Sequence, residues 1–183
     1  MEINTIDYKD FIEQRCKRLS HSDSIQVSPH DLNSMLYPFQ RDIVRWALAK
    51  GRAAIFADCG LGKTPMQLEW ANQIVKSHGG SVLILAPLTV SVQTVREGAK
   101  FGIPVNICES AEDVLPGINI TNYEKLGNFN ECVFKGVVLD ESSILKSFTG
   151  AMRNRIINFF SQTPFRLACT ATPAPNDFME LGN

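Results

Sequence analysis

Residues 56–67 read FADCGLGKTPMQ, with Gly60 and Gly62 flanking Leu61 and with Lys63 and Thr64 directly after. The apolar run AAIFA leads into this stretch, and a helical pattern leaves it from Lys63. Strand, glycine-rich turn and helix in that order form the context a phosphate-binding loop requires. Gly60 and Gly62 can turn their amides inward with no side chain in the way. The helix start adds its own positive end. In such a loop Lys63 reaches the β- and γ-phosphates of a nucleotide and Thr64 ligates magnesium. Pro65 is tolerated because first-turn amides have no intrahelical partner. Ala57 stands where the first glycine of the general pattern falls. The stretch therefore predicts an α/β fold of the P-loop NTPase class, binding a nucleoside triphosphate with Mg2+.

Working outward, VLILAP, VNIC, INIT, GVVLD and RLACT join AAIFA as short apolar runs. Amphipathic stretches over 63–78, 89–101 and 150–160 alternate with them, and Gly79, Gly80 and Gly102 act as stop signals. Buried strands alternating with helices predict a mostly parallel sheet with helices on both faces. Ligands on such sheets sit at the carboxyl ends of the strands. Toward the amino terminus, a helix is expected to start at Pro38 and stop at Gly51. Before it, SHSDSIQVSPHDLNS reads as a polar connector. Residues 7–19 place Tyr8, Phe11, Ile12, Cys16 and Leu19 on one face of a short helical leader. The expected organisation is a leader and connector over 1–35 and a nucleotide-binding unit over 36–183.

Two further elements follow the same rule. GVVLDESS, residues 136–143, ends an apolar strand in Asp140 and Glu141. One carboxylate can hold magnesium while its neighbour orients and deprotonates an attacking water, which is a hydrolase arrangement. RLACTATPAPND ends another strand in Thr170, Ala171 and Thr172. The two threonine hydroxyls can hydrogen-bond the acidic loop and couple it to the state of the γ-phosphate.

Together these segments resemble the first RecA-like lobe of superfamily 2 helicases, above all the Swi/Snf branch of bacterial or phage type. LYPFQRDIVRW resembles that branch's adenine-recognising motif, centred here on Gln40. ADCGLGKTPMQ resembles its phosphate loop, with Cys59 in place of a glutamate. The resemblance implies that Gln40, Gly60, Leu61, Gly62, Lys63 and Thr64 hold the nucleotide, and that Thr64 and Asp140 hold the metal. It implies catalytic roles for Lys63, Asp140 and Glu141, and coupling through Thr170, Ala171 and Thr172. LILAPLTVSVQTVREGAKF, ITNYEKL and VVLDESSILKS resemble the motifs that track nucleic acid. They imply contacts from Pro87, Leu88, Thr89, Thr121, Asn122, Tyr123 and Lys146, with duplex DNA favoured. Where the family continues its Asp-Glu with Ala-His, this chain has Ser142 and Ser143. No imidazole is then available to couple the two motifs. The family carries a second RecA-like lobe with arginine fingers, and the sequence stops at Asn183 before one. A second lobe in cis or in trans is therefore expected as a partner.

Composition agrees. Across 183 residues, 44% are hydrophobic and 20% charged, as in a soluble globular protein. The 18 basic and 19 acidic side chains leave a net charge of -1, so contact with nucleic acid must come from a local patch. Five cysteines with no CxxC pair suit a reducing, cytoplasmic setting. The run SVLILAPL is too short to span a bilayer. A small-molecule kinase has no need of the Asp-Glu and Thr-Ala-Thr elements. A nucleotide-sensing module without motor action stays open as the alternative to an ATP-driven translocase lobe. Trp46 and Trp70 are expected in the core, and His21, His30 and His78 are assigned no chemistry.

Overall fold

The computed structural model describes residues 24–129, 133–143 and 150–173. The expected leader helix, Lys146 and residues 174–183 lie outside them. In chain order the elements are α1 (Pro38–Lys50), β1 (Arg52–Phe56), α2 (Lys63–His78), β2 (Ser81–Ala86), α3 (Ser91–Lys100) and β3 (Val105–Ile107). They continue with β4 (Gly117–Asn122), a 3-10 turn (Tyr123–Phe129), β5 (Gly136–Leu139), α4 (Gly150–Phe159) and β6 (Phe165–Thr170).

The strands form one six-stranded sheet in the order β1-β6-β5-β2-β4-β3, parallel at every pairing. The uninterrupted apolar runs of β2 and β5, in the middle of the sheet, follow from burial on both sides. Side chains alternate across a strand, so Val82, Ile84 and Ala86 of β2 join Val44, Met66, Trp70 and Ile74 in one core layer under α1 to α3. Leu83 and Leu85 point the other way, to Leu126, Phe129, Ile156 and Phe160 of the 3-10 turn and α4. Helices cover both faces, as the pattern of apolar runs predicts.

The strand order matters most for function. It sets β1, β6 and β5 side by side, so the phosphate loop, the threonine triplet and the acid pair leave the sheet at one edge. The pairing Ala57 N–H to Thr170 O (3.2 Å) extends the β1–β6 ladder up to the start of the loop.

α1 begins at Pro38, and its third residue, Gln40, reaches back to accept the Tyr37 N–H at 2.9 Å. Gly51, at φ 67°, ends it. One expectation is corrected here. Trp46 is 49% exposed rather than part of the core. The buried stripe of α1 is Val44, Ala47 and Leu48, and the 3.6-residue period turns position 46 away from it. Trp70 is fully buried, and its indole N–H has no hydrogen-bond partner among the described residues.

Candidate functional site

The phosphate loop is shaped by its glycines. Gly60 and Gly62 have φ of 82° and 75°, in the left-handed region that glycine occupies without penalty. Gly62 is the N-cap residue just before α2, and no side chain caps the helix there. The first-turn amides are therefore left open to a ligand. A Cβ at Gly62 would overlap Nε2 of Gln40. Gln40 itself is buried and donates Nε2 to Leu61 O at 3.0 Å. With Oε1 engaged by Tyr37, it ties α1 to the loop. Lys63 Nζ folds back on the loop and donates to Ala57 O (2.9 Å) and Asp58 O (3.3 Å).

These contacts predict unequal costs at the two glycines. Gly60→Ala meets nothing within 4 Å and is expected to lose only the left-handed term, about 1–2 kcal/mol. Gly62→Ala adds the overlap with Gln40 and should lose more. Urea unfolding of the two variants measures the difference, and equal losses would mean that Gln40 does not brace the loop.

The acid pair sits at the end of β5. Asp140 donates its N–H to Leu85 O (2.8 Å) and receives the Tyr123 hydroxyl on its carbonyl (2.7 Å). Its carboxylate Oδ1 accepts Nε2 of Gln67 at 2.6 Å. Burial pushes the Asp140 carboxyl above its ordinary range. The Gln67 and Glu141 N–H groups and the charge of Lys63 oppose that rise. Burial likewise raises the neighbouring Cys169 thiol to about 12, so it stays neutral. Glu141 has φ 49°, and it alone among the described non-glycine residues lies in the left-handed region. Such backbone is enriched at functional sites.

The threonine triplet meets the acids directly. Thr170 Oγ1 donates to Glu141 Oε2 at 3.4 Å and accepts the Thr172 N–H at 3.1 Å. Thr172 Oγ1 donates to Ser143 Oγ at 3.3 Å, and Ser142 N–H donates to Cys169 O at 2.9 Å. Ser143 thus joins the two loops through hydroxyls. Lys63, Thr64, Asp140 and Glu141 line one open cleft of about 360 Å³ together with Gly60 and Gly62. A smaller apolar recess under α4, about 210 Å³, contains neither an acid nor a nucleophile.

No family model matches the chain, and no curated protein matches it by sequence. Solved structures do. The SWI2/SNF2 ATPase core of Sulfolobus solfataricus, in complex with dsDNA, is 22% identical, with a TM-score of 0.66 over 86% of this chain and 36% of that one. The UvsW helicase of bacteriophage T4 is 15% identical, with a TM-score of 0.64 over 99% of this chain and 66% of that one. The Hef helicase domain of Pyrococcus furiosus is 18% identical, with a TM-score of 0.63 over 79% and 34%. The chain shares with these structures the RecA-like α/β fold. It spans about a third of the SWI2/SNF2 and Hef chains and about two thirds of the UvsW chain.

Within this lobe the remaining motif residues divide into two groups. After β2, Leu88 (71% exposed) and Thr89 stand open to solvent, with Pro87 half-buried behind them. The side chains of Thr121, Asn122 and Tyr123 are turned inward and buried. Asn122 Oδ1 accepts the Lys125 N–H at 3.0 Å, and Tyr123 pins Asp140 as described. Among the described residues Thr121 Oγ1 has no partner. Of that segment Glu124 is the exposed member.

Sequence reasoning missed Gln67 and the α3 side of the cleft, where Val90, Gln93 and Glu97 line the opening. Gln67 carried a usable signal. It falls four residues after Lys63, hence on the same helical face. The α3 residues carried none, because their place depends on how α2 packs against α3. Among the described residues no three acidic, histidine or cysteine side chains cluster to hold a metal by themselves, and no helix is long and apolar enough to cross a membrane.

The chemistry of the cleft fits a nucleoside triphosphate with Mg2+. It has an uncapped helix start, a left-handed glycine whose Cβ would crowd Gln40, one lysine at the loop and a desolvated carboxylate. No ion pair among the described residues neutralises that carboxylate.

Proposed function

We propose that this chain is the ATP-binding lobe of a DNA-dependent ATPase of the translocase type, working with a second RecA-like lobe in cis or in trans. The observation that carries the proposal is the convergence of Lys63, Thr64, Asp140 and Glu141 on one cleft, with Thr170 hydrogen-bonded to Glu141.

In this reading the amides of residues 60–64 and Lys63 hold the phosphates, while Thr64 and Asp140 hold Mg2+. The bound metal supplies positive charge against the phosphate oxygens. Glu141 takes a proton from the attacking water, and Thr170 senses that event through Oε2. Gln40 reads the adenine edge only by exchanging one of its two internal bonds, to Tyr37 or to Leu61. Residues 36–183 form the lobe, and residues 1–35 form its leader and connector. The exposed Leu88 and Thr89 are its described contacts to the DNA backbone, with Lys146 a further one. The fold shared with a SWI2/SNF2 ATPase core in complex with dsDNA supports duplex DNA as the polymer. The expected setting is the cytoplasm.

The binding half of the proposal is tested with a fluorescent ATP analogue and Mg2+. Lys63→Ala removes the one cation that lines the described cleft. Losing a hydrogen bond to a charged group costs about 1.5–3 kcal/mol, so affinity should fall about tenfold or more. Equal affinities would reduce the loop to a simple turn. That single cation also suits a nucleotide-sensing module without motor action. Such a module would bind ATP yet gain nothing from a second lobe.

A further inference from the structure

We propose that Gln67 is a positioning residue for Asp140, holding the metal-binding carboxylate in place from beneath without neutralising it. The proposal rests on the Mg2+-ATP reading of the cleft. Both side chains are buried, at 1% and 7% exposure, and Gln67 Nε2 lies 2.6 Å from Asp140 Oδ1. The helix period explains the placement. The first turn of α2 presents Lys63 and Thr64 to the cleft, and the next turn delivers the Gln67 amide under the end of β5. The phosphate-loop helix and the acid strand are thereby joined directly, through atoms of the protein alone.

The residue type is informative. A buried lysine or arginine here would hold the carboxylate equally well but would supply the positive charge that the metal is meant to supply. A leucine would leave a desolvated carboxylate oxygen without its donor. A neutral amide donor orients the oxygen and leaves the negative charge available. Asp140 is fixed at its backbone as well, by Leu85 O at its N–H and by the Tyr123 hydroxyl at its carbonyl. Gln67 governs the remaining freedom, rotation of the side chain. Hydrogen-bond partners behind a metal ligand typically change metal affinity by about 10- to 100-fold when removed.

The experiment titrates a fluorescent ATP analogue into the full chain, first in EDTA and then with rising Mg2+. Gln67→Leu and Gln67→Met are compared with the wild type, and thermal unfolding is recorded for each. Either variant that folds suffices, since both keep the volume and delete the donor. The expected result is an unchanged affinity in EDTA and a Mg2+ half-saturation raised about 10-fold or more. A wild-type Mg2+ dependence in the variants overturns the proposal. Equal losses with and without Mg2+ also overturn it, because they mark Gln67 as a packing residue of the loop. A wild-type chain that binds no nucleotide overturns the Mg2+-ATP reading itself, and this proposal with it. Wild-type binding beside an unaffected variant overturns this proposal alone.

Discussion

Phosphate release by the 183-residue chain alone is expected to be slow, and a second RecA-like lobe supplied in cis or in trans should raise it roughly 10³–10⁵-fold, the value of an arginine finger in phosphoryl transfer. The reason is visible in the cleft. Its lining contains one cation, Lys63, against three carboxylates, Glu97, Asp140 and Glu141. Charge that builds on the transferring phosphoryl group needs further positive groups, and the described residues offer none there. DNA affinity of the chain alone should be weak as well, because a net charge of -1 gives little counterion release. Steady-state phosphate release, with and without duplex DNA and with and without the second lobe, measures both effects. Turnover by the chain alone on the order of 1 s⁻¹, the low end of ordinary enzyme rates, would show a site complete in itself. The half-motor reading would then be wrong. A second lobe that binds but leaves the rate unchanged favours the sensing module.

Replacing Glu141 by Gln should lower hydrolysis by about 10²–10⁴-fold, the usual contribution of a general base, with nucleotide affinity retained. Glu141 is half-buried and hydrogen-bonded to Thr170, and its left-handed backbone turns it out of the line of β5. The amide keeps the shape and the contact to the threonine but cannot take the proton. Asp140→Asn should instead weaken the Mg2+-dependent part of binding, because the buried carboxylate is the charge the metal answers. Both variants are measured in the two-lobed protein, by binding and by single-turnover hydrolysis. Identical behaviour of the two would end the division of roles between the acids.

The fold was legible because its central strands β2 and β5 are buried on both sides. VLIL and GVVL are uninterrupted apolar runs, and Pro38 and Gly51 mark α1 by local chemistry alone. The RecA-like resemblance came from ordered motifs, and the parallel sheet beneath them matches it. Strand order was less accessible to local reasoning. Nothing near Phe165 in the sequence says that β6 inserts between β1 and β5, yet that insertion brings Thr170 to Glu141. Trp46, beside Ala47 on a helical face, suggests a core position in the sequence, whereas the helical period places it at the surface. Gln67 shows no role in the sequence, since polar residues on a helix default to solvent. Its burial is decided by α2 lying against the end of β5. Tyr123 was read as a nucleic-acid contact, whereas its hydroxyl is spent inside, on the Asp140 carbonyl.

The most direct test of the nucleotide site is a crystal structure of the chain with Mg2+ and a non-hydrolysable ATP analogue. The account predicts the triphosphate against the amides of residues 60–64. Lys63 Nζ should be released from Ala57 O and Asp58 O, where it now sits at 2.9 and 3.3 Å, and turned to the phosphates. The metal should lie between Thr64 and Asp140, with Gln67 still on Oδ1. A nucleotide bound elsewhere, or Lys63 still on its own loop carbonyls beside an occupied cleft, would contradict it.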